Sequence, residues 1–132
     1  MAPRKTVLVV DDEPAVRNLI HTLLTDAYNV VLGVDGVDAT QRYEQYAGGI
    51  SAVITDVQMP QLDGARLIEW LRERQPTLPV IVMSGGLGKP DVEHLLHSPG
   101  IEWLGKPFMI DDLRLLLERL LNPTNARTSA EV

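Results

Sequence analysis

A length of 132 residues bounds the chain to about one domain, and 45% apolar with 23% charged residues excludes a disordered polymer. The absence of cysteine removes disulfides, thiolate catalysis and thiolate zinc sites together, and a net charge of −6 argues against a face that neutralises nucleic-acid phosphates. No apolar run approaches the ~20 residues of a membrane-spanning helix and the first residues carry no apolar leader, so the expectation is a cytoplasmic domain with a protein partner.

Thr6-Val7-Leu8-Val9-Val10 is a continuous apolar run of strand length, the pattern of a central parallel strand covered on both faces. It stops at Asp11-Asp12-Glu13-Pro14, where Asp12 reads as an N-cap and Pro14 as a first-turn residue of a helix. Val16, Leu19, Ile20, Leu23 and Leu24 then recur at helical spacing. A second strand is expected over residues 29–32, and a second helix over 35–46 with Val37, Tyr43 and Tyr46 among its contacts and Gly48-Gly49 ending it. The β-branched third strand, residues 52–55, delivers Asp56 and leads into a loop through Met59-Pro60 and Asp63-Gly64.

The third helix is expected to turn Leu67, Ile68 and Leu71 inward and Arg66, Glu69, Arg72, Glu73 and Arg74 outward, with Trp70 as a packing residue. Pro79 opens a strand over 80–83 that ends at Ser84-Gly85-Gly86, and a short helix with thin apolar content is expected over about 90–97. The last strand, 101–104, breaks at Gly105-Lys106-Pro107. Leu113, Leu116, Leu117, Leu120 and Leu121 mark the final helix, so the folded domain is read as residues 1–121 and residues 122–132 as a polar tail or linker stub.

Five strands alternating with five helices imply a doubly wound α/β sandwich with a parallel sheet, for which the order 2-1-3-4-5 is expected. Sites in such sheets lie beyond the carboxyl ends of the strands. That edge gathers Asp11 and Asp12 from the first strand, Asp56 from the third, Ser84 from the fourth and Lys106 from the fifth. Two carboxylates about 4 Å apart repel by roughly 4 kcal/mol at an effective dielectric of 20, so a cation is needed to offset them. Mg²⁺ takes one or two carboxylates and binds phosphoryl oxygens, which makes an all-oxygen acidic pocket beside a lysine a phosphoryl-handling site.

These residues, with Met59-Pro60 and Asp63-Gly64 after Asp56 and Lys106-Pro107-Phe108 after the fifth strand, resemble the receiver domains of two-component response regulators over about residues 5–121. The resemblance implies a flavodoxin-like (βα)₅ fold in which Asp56 accepts a phosphoryl group from a phosphohistidine on a histidine kinase or phosphotransfer protein. It implies that Asp12, Asp56 and the backbone carbonyl of Gln58 hold Mg²⁺ with Asp11 assisting through water, and that Ser84 and Lys106 bind the phosphoryl oxygens. A switch is also implied, in which Ser84 moves toward the phosphoryl group and an aromatic residue three before the lysine turns inward. That remodels the face made by the fourth expected helix, the fifth strand and the fifth helix. Trp103 stands at that aromatic position, where the family more often has Tyr or Phe. The resemblance also implies that the positions of Gln58 and Gly86 influence the lifetime of the phosphoryl group and that the Lys106-Pro107 bond is cis.

The expectation is therefore a switch, not an enzyme in the usual sense, acting on a downstream protein partner or a tethered output domain. Phosphorylation-dependent homodimerisation is compatible with it. A phosphohydrolase would want a second acid two residues beyond the nucleophile, where Gln58 stands. An FMN module would need a Ser/Thr/Gly-rich loop after the first strand, where Asp11-Asp12-Glu13-Pro14 would repel phosphate. A receiver-like interaction domain that is never phosphorylated is the remaining alternative. His94 and His97 lack a third metal ligand, and Gly85-Gly86-Leu87-Gly88-Lys89 lacks the spacing of a phosphate loop.

Overall fold

The computed structural model describes residues 4–46, 48–57, 64–84 and 100–122. In chain order these form β1 (Thr6–Val10), α1 (Pro14–Leu24), β2 (Asn29–Gly33), α2 (Gly36–Gln45), β3 (Ile50–Asp56), α3 (Gly64–Arg74), β4 (Val80–Ser84), β5 (Ile101–Gly105) and α4 (Ile110–Leu121). The expected loop through Met59, Pro60 and Asp63, the helix over 90–97 with His94 and His97, the glycine-rich run with Gly86 and Lys89, and the tail beyond Asn122 lie outside the described residues. No helix among the described residues is long and apolar enough to cross a membrane.

All four strand pairings are parallel and the sheet order is β2-β1-β3-β4-β5, as expected. Alternation along each strand divides the core into two layers. Leu8, Val10, Val53, Val80, Val82 and Ile101 pack with Ala39 and Tyr43 of α2 and with Leu67, Ile68 and Leu71 of α3. Val7, Val9, Ile54, Ile81, Met83 and Leu104 pack on the other face with Ile20 and Leu24 of α1 and Leu113, Leu117 and Leu121 of α4. Burial on both faces is why β1, β3 and β4 read as unbroken apolar runs.

Several local expectations are corrected. The N-cap of α1 is Glu13, not Asp12, and it makes no side-chain cap bond, because Pro14 already occupies the first turn and the nearby carboxylate of Asp11 takes the Glu13 N–H at 2.9 Å. Asp35 caps α2 by accepting from Asp38 N–H at 2.8 Å, which leaves Val37 and Tyr46 exposed at 44% and 46%, at the ends of the helix and away from its packed face. Leu19 is likewise exposed on α1. Arg72 does not lie on a solvated stripe: it is half-buried and donates to the carbonyl of Leu78, tying the end of α3 to the start of β4. Trp70 packs as expected, edge-on to Tyr43 with ring centroids 5.6 Å apart and Arg74 over its face.

Candidate functional site

The strand register builds the site. Val10 pairs with Thr55, so the next residues, Asp11 and Asp56, leave adjacent strands at the same level. Asp56 pairs with Met83 and Ser84 pairs with Gly105, so Ser84 follows one step further along and Lys106 two. Backbone bonds continue the ladder past the strand ends: Asp11 N–H donates to Gly33 at 3.2 Å, Val57 N–H to Met83 at 3.2 Å and Lys106 N–H to Ser84 at 2.9 Å. Asp11, Asp56, Ser84 and Lys106 are thus held by the sheet itself, while Asp12 lies in the turn between β1 and α1.

Asp11, Asp12 and Asp56 each place a carboxylate oxygen so that the three lie within 4.8 Å of one another. Asp11 is fully buried and Asp56 is 7% exposed, whereas Asp12 is open to solvent. Lys106 reaches into this cluster with its Nζ 3.3 Å from Oδ2 of both Asp11 and Asp56. Burial alone would lower the pKa of the Lys106 ammonium, but Asp56 and Asp11 outweigh it and hold the group above its ordinary value. Burial raises the carboxyl of Asp11; the Glu13 N–H and Lys106 oppose that rise, and the charge of Asp56 adds to it. One ammonium against three carboxyl groups leaves the cluster acidic, which a hard divalent cation with oxygen ligands matches.

Ser84 is buried at the end of β4, and alternation places it with Val80 and Val82 on the face opposite to Met83. Trp103 lies on the strand that pairs with β4, opposite Val82, and its ring lies against Gly105. The Lys106-Pro107 peptide is cis, as expected. Gln58 lies outside the described residues.

Two residues to which the sequence reading gave no role at the site contribute to it, as does Gly64, which it noted only within Asp63-Gly64. Arg17 reaches back from α1 and donates from Nη1 to the Asp11 carbonyl at 2.8 Å. Thr55 donates its hydroxyl to the Asp56 carbonyl at 2.9 Å. Gly64 opens α3 with its N–H on the Val57 carbonyl at 2.9 Å and its Cα face against the Asp56 backbone.

Comparison with known proteins agrees with this geometry. The family model of the response regulator receiver domain matches residues 7–118. The chain is 32% identical over 117 residues to the sensor kinase CckA of Brucella abortus, covering 88% of this chain and 12% of the kinase. It is 28% identical over 133 residues to the transcriptional regulatory protein FixJ of Bradyrhizobium diazoefficiens, covering 99% of this chain and 63% of that protein. Thus the chain spans less than two thirds of the length of either relative. Among solved structures, the receiver domain of a sensor histidine kinase from Pseudomonas aeruginosa PAO1 superposes with a TM-score of 0.79 at 26% identity, over 91% of this chain and 99% of that one. That structure holds a magnesium ion coordinated in its active-site cleft.

Proposed function

Because the chain belongs to the response regulator receiver domains, the signalling modules of two-component systems, we propose that Asp56 is its phosphoacceptor and that phosphorylation there switches its affinity for a protein partner. The observation that carries this reading is the contact of Lys106 Nζ with both Asp11 and Asp56 at 3.3 Å, which joins three strand ends in one acidic pocket.

An oxygen of the Asp56 carboxylate attacks the phosphorus of a phosphohistidine on a histidine kinase or phosphotransfer protein. The P–N bond breaks, its electron pair returns to the imidazole, and an acyl phosphate forms on Asp56. Lys106 is already placed to follow the negative charge from the carboxylate onto the phosphoryl oxygens, and the Ser84 hydroxyl is to reach them from β4. Asp12, Asp56 and the carbonyl of Gln58 are the groups to hold Mg²⁺, with Asp11 acting through water. The all-oxygen donor set of Asp11, Asp12 and Asp56, open on the Asp12 side, fits that ion. When bound, Mg²⁺ neutralises the phosphoryl oxygens during transfer.

Ser84 and Trp103 are the switch residues in this reading, and the face of β5 and α4 with the segment before β5 is the surface that changes. The downstream partner is a separate protein or a tethered output domain, and a homodimer formed on phosphorylation is a further form of the same output. The domain assists its own phosphorylation and dephosphorylation without turning over a separate substrate, with residues 1–121 as receiver and 122–132 as tail or linker.

Intact mass after incubation with Mg²⁺ and acetyl phosphate tests the proposal. One phosphoryl group adds about 80 Da, and the gain should vanish with EDTA or in Asp56→Asn. An adduct that survives in Asp56→Asn would assign the acceptor elsewhere. No adduct from acetyl phosphate or from phosphohistidine donors would favour an interaction domain that is never phosphorylated.

A further inference from the structure

The ring of Trp103 has an unusual seat. A β-carbon built on Gly105 would stand 2.8 Å from Cη2 and 3.0 Å from Cζ2 of the indole, closer than side-chain atoms pack. The ring is therefore laid along β5 toward its carboxyl end, against a residue that has no side chain. Gly105 is the register partner of Ser84 and the residue before Lys106, whose N–H donates to the Ser84 carbonyl at 2.9 Å. Alternation puts Trp103 and Gly105 on the same sheet face as Ser84. The indole thus rests on the residue that pairs with Ser84 and precedes Lys106, the two groups proposed to bind the phosphoryl oxygens.

The seat is also finely balanced. Trp103 Nε1 is buried and has no hydrogen-bond partner among the described residues. Burying a donor without an acceptor opposes this placement, so apolar contact with the bare backbone must hold it. A contact that depends on one missing β-carbon and works against an unpaired N–H is one that a single small substitution can reverse.

We infer that Gly105 is a positioning residue: by leaving room for the Trp103 indole it keeps the ring against the end of β5, at the register partner of Ser84 and next to Lys106 in the chain, and thereby sets the resting position of the switch. The inference rests on the reading of Asp56 as phosphoacceptor only for its consequence in phosphorylation; the seat itself is tested without it.

The test uses the full chain with Trp70→Phe, so that Trp103 is the sole indole. Adding Gly105→Ala should move Trp103 emission to the red and raise its acrylamide quenching about twofold, as a half-buried ring becomes more exposed. Mg²⁺ affinity should change by less than about threefold, since Asp11, Asp12 and Asp56 are untouched. Unchanged emission and quenching would overturn the inference.

A double-mutant cycle with Trp103→Leu then reads the coupling through the rate of acetyl phosphate labelling. Gly105→Ala should change the rate in the Trp103 parent and have little effect in Trp103→Leu. Equal effects in both backgrounds would show that residue 105 acts on the lysine turn directly, and would overturn the inference. If Gly105→Ala does not fold, the double variant should, because the overlap is gone; a double variant that also fails to fold overturns it too. A parent that takes no phosphoryl group from any donor would instead sink the phosphoacceptor reading, leaving the fluorescence result to judge the seat.

Discussion

The Cα of Gly64, the first residue of α3, is packed against the backbone of Asp56 so closely that a β-carbon there would overlap the Asp56 carbonyl oxygen and stand 2.8 Å from Val57 Cα. The conflict is with backbone, which has no rotamer to give. Gly64→Ala must shift either the start of α3 or the end of β3, and overpacking of this kind costs about 1–3 kcal/mol. The expected outcome is a lower urea midpoint together with slower labelling of Asp56, because the displaced strand end carries the acceptor. Full labelling with a lowered midpoint would mean that α3 moves and the acceptor does not.

Asp11 makes stability depend on pH in a definite direction. Its carboxyl is raised chiefly by burial, so the folded chain binds this proton more tightly than the unfolded chain does. Between the ordinary aspartate value, about 3.9, and the raised value in the fold, stability therefore falls as pH rises, and the contribution stays unfavourable at neutral pH. In EDTA at pH 7, Asp11→Asn should stabilise the protein by on the order of 1 kcal/mol, the scale set by relieving a buried charge beside Asp56. The same variant should bind Mg²⁺ more weakly. Thermal melts with and without the ion separate the two effects, and a destabilised Asp11→Asn in EDTA would show that its bond to Lys106 outweighs its burial.

Metal binding should appear as stability. If Mg²⁺ binds only the folded cluster, an excess of about 100 times its dissociation constant adds about 2.7 kcal/mol. Asp12→Asn should lose most of that gain while its metal-free melt stays near the parent, since Asp12 is open to solvent. A gain that persists undiminished in Asp12→Asn would remove this residue from the ligand set.

Asp11, Asp12, Asp56 and Lys106 were legible in the sequence because each ends an apolar run, and a parallel sheet brings such ends to one edge. The parallel doubly wound sheet followed from the same alternation of elements, which does not by itself fix the strand order. What was not legible acts through the backbone. Arg17 and Gly64 touch carbonyls, and no pattern of side-chain types announces which carbonyl a residue will meet. Gly105 looked like a strand breaker before Lys106, whereas it also makes room for a ring two residues earlier. Arg72 was misread for a related reason: its charge alternation with Glu69 and Glu73 is that of a solvated face, but the turn after α3 brings the Leu78 carbonyl within its reach. Val37 and Tyr46 read as contacts of α2 by residue type, yet they sit at its two ends and half a turn out of phase with each other, and both are exposed.

Arg17 offers the sharpest test of how the first strand end is held. Its guanidinium bonds the Asp11 carbonyl at 2.8 Å while the Asp11 carboxylate accepts the Glu13 N–H at 2.9 Å, so the turn carrying Asp11 and Asp12 is fixed from both sides. A hydrogen bond from a charged donor is worth about 1.5–3 kcal/mol, and Arg17→Ala should cost stability of that order. It should also weaken Mg²⁺ binding several-fold, because Asp11 and Asp12 lose their common anchor. Arg17→Lys keeps the charge but not the planar fork, so it should restore part of the stability and less of the affinity. If Lys restored both equally, Arg17 would be acting through its charge on the three carboxylates; restoration of stability alone would assign it to holding the turn.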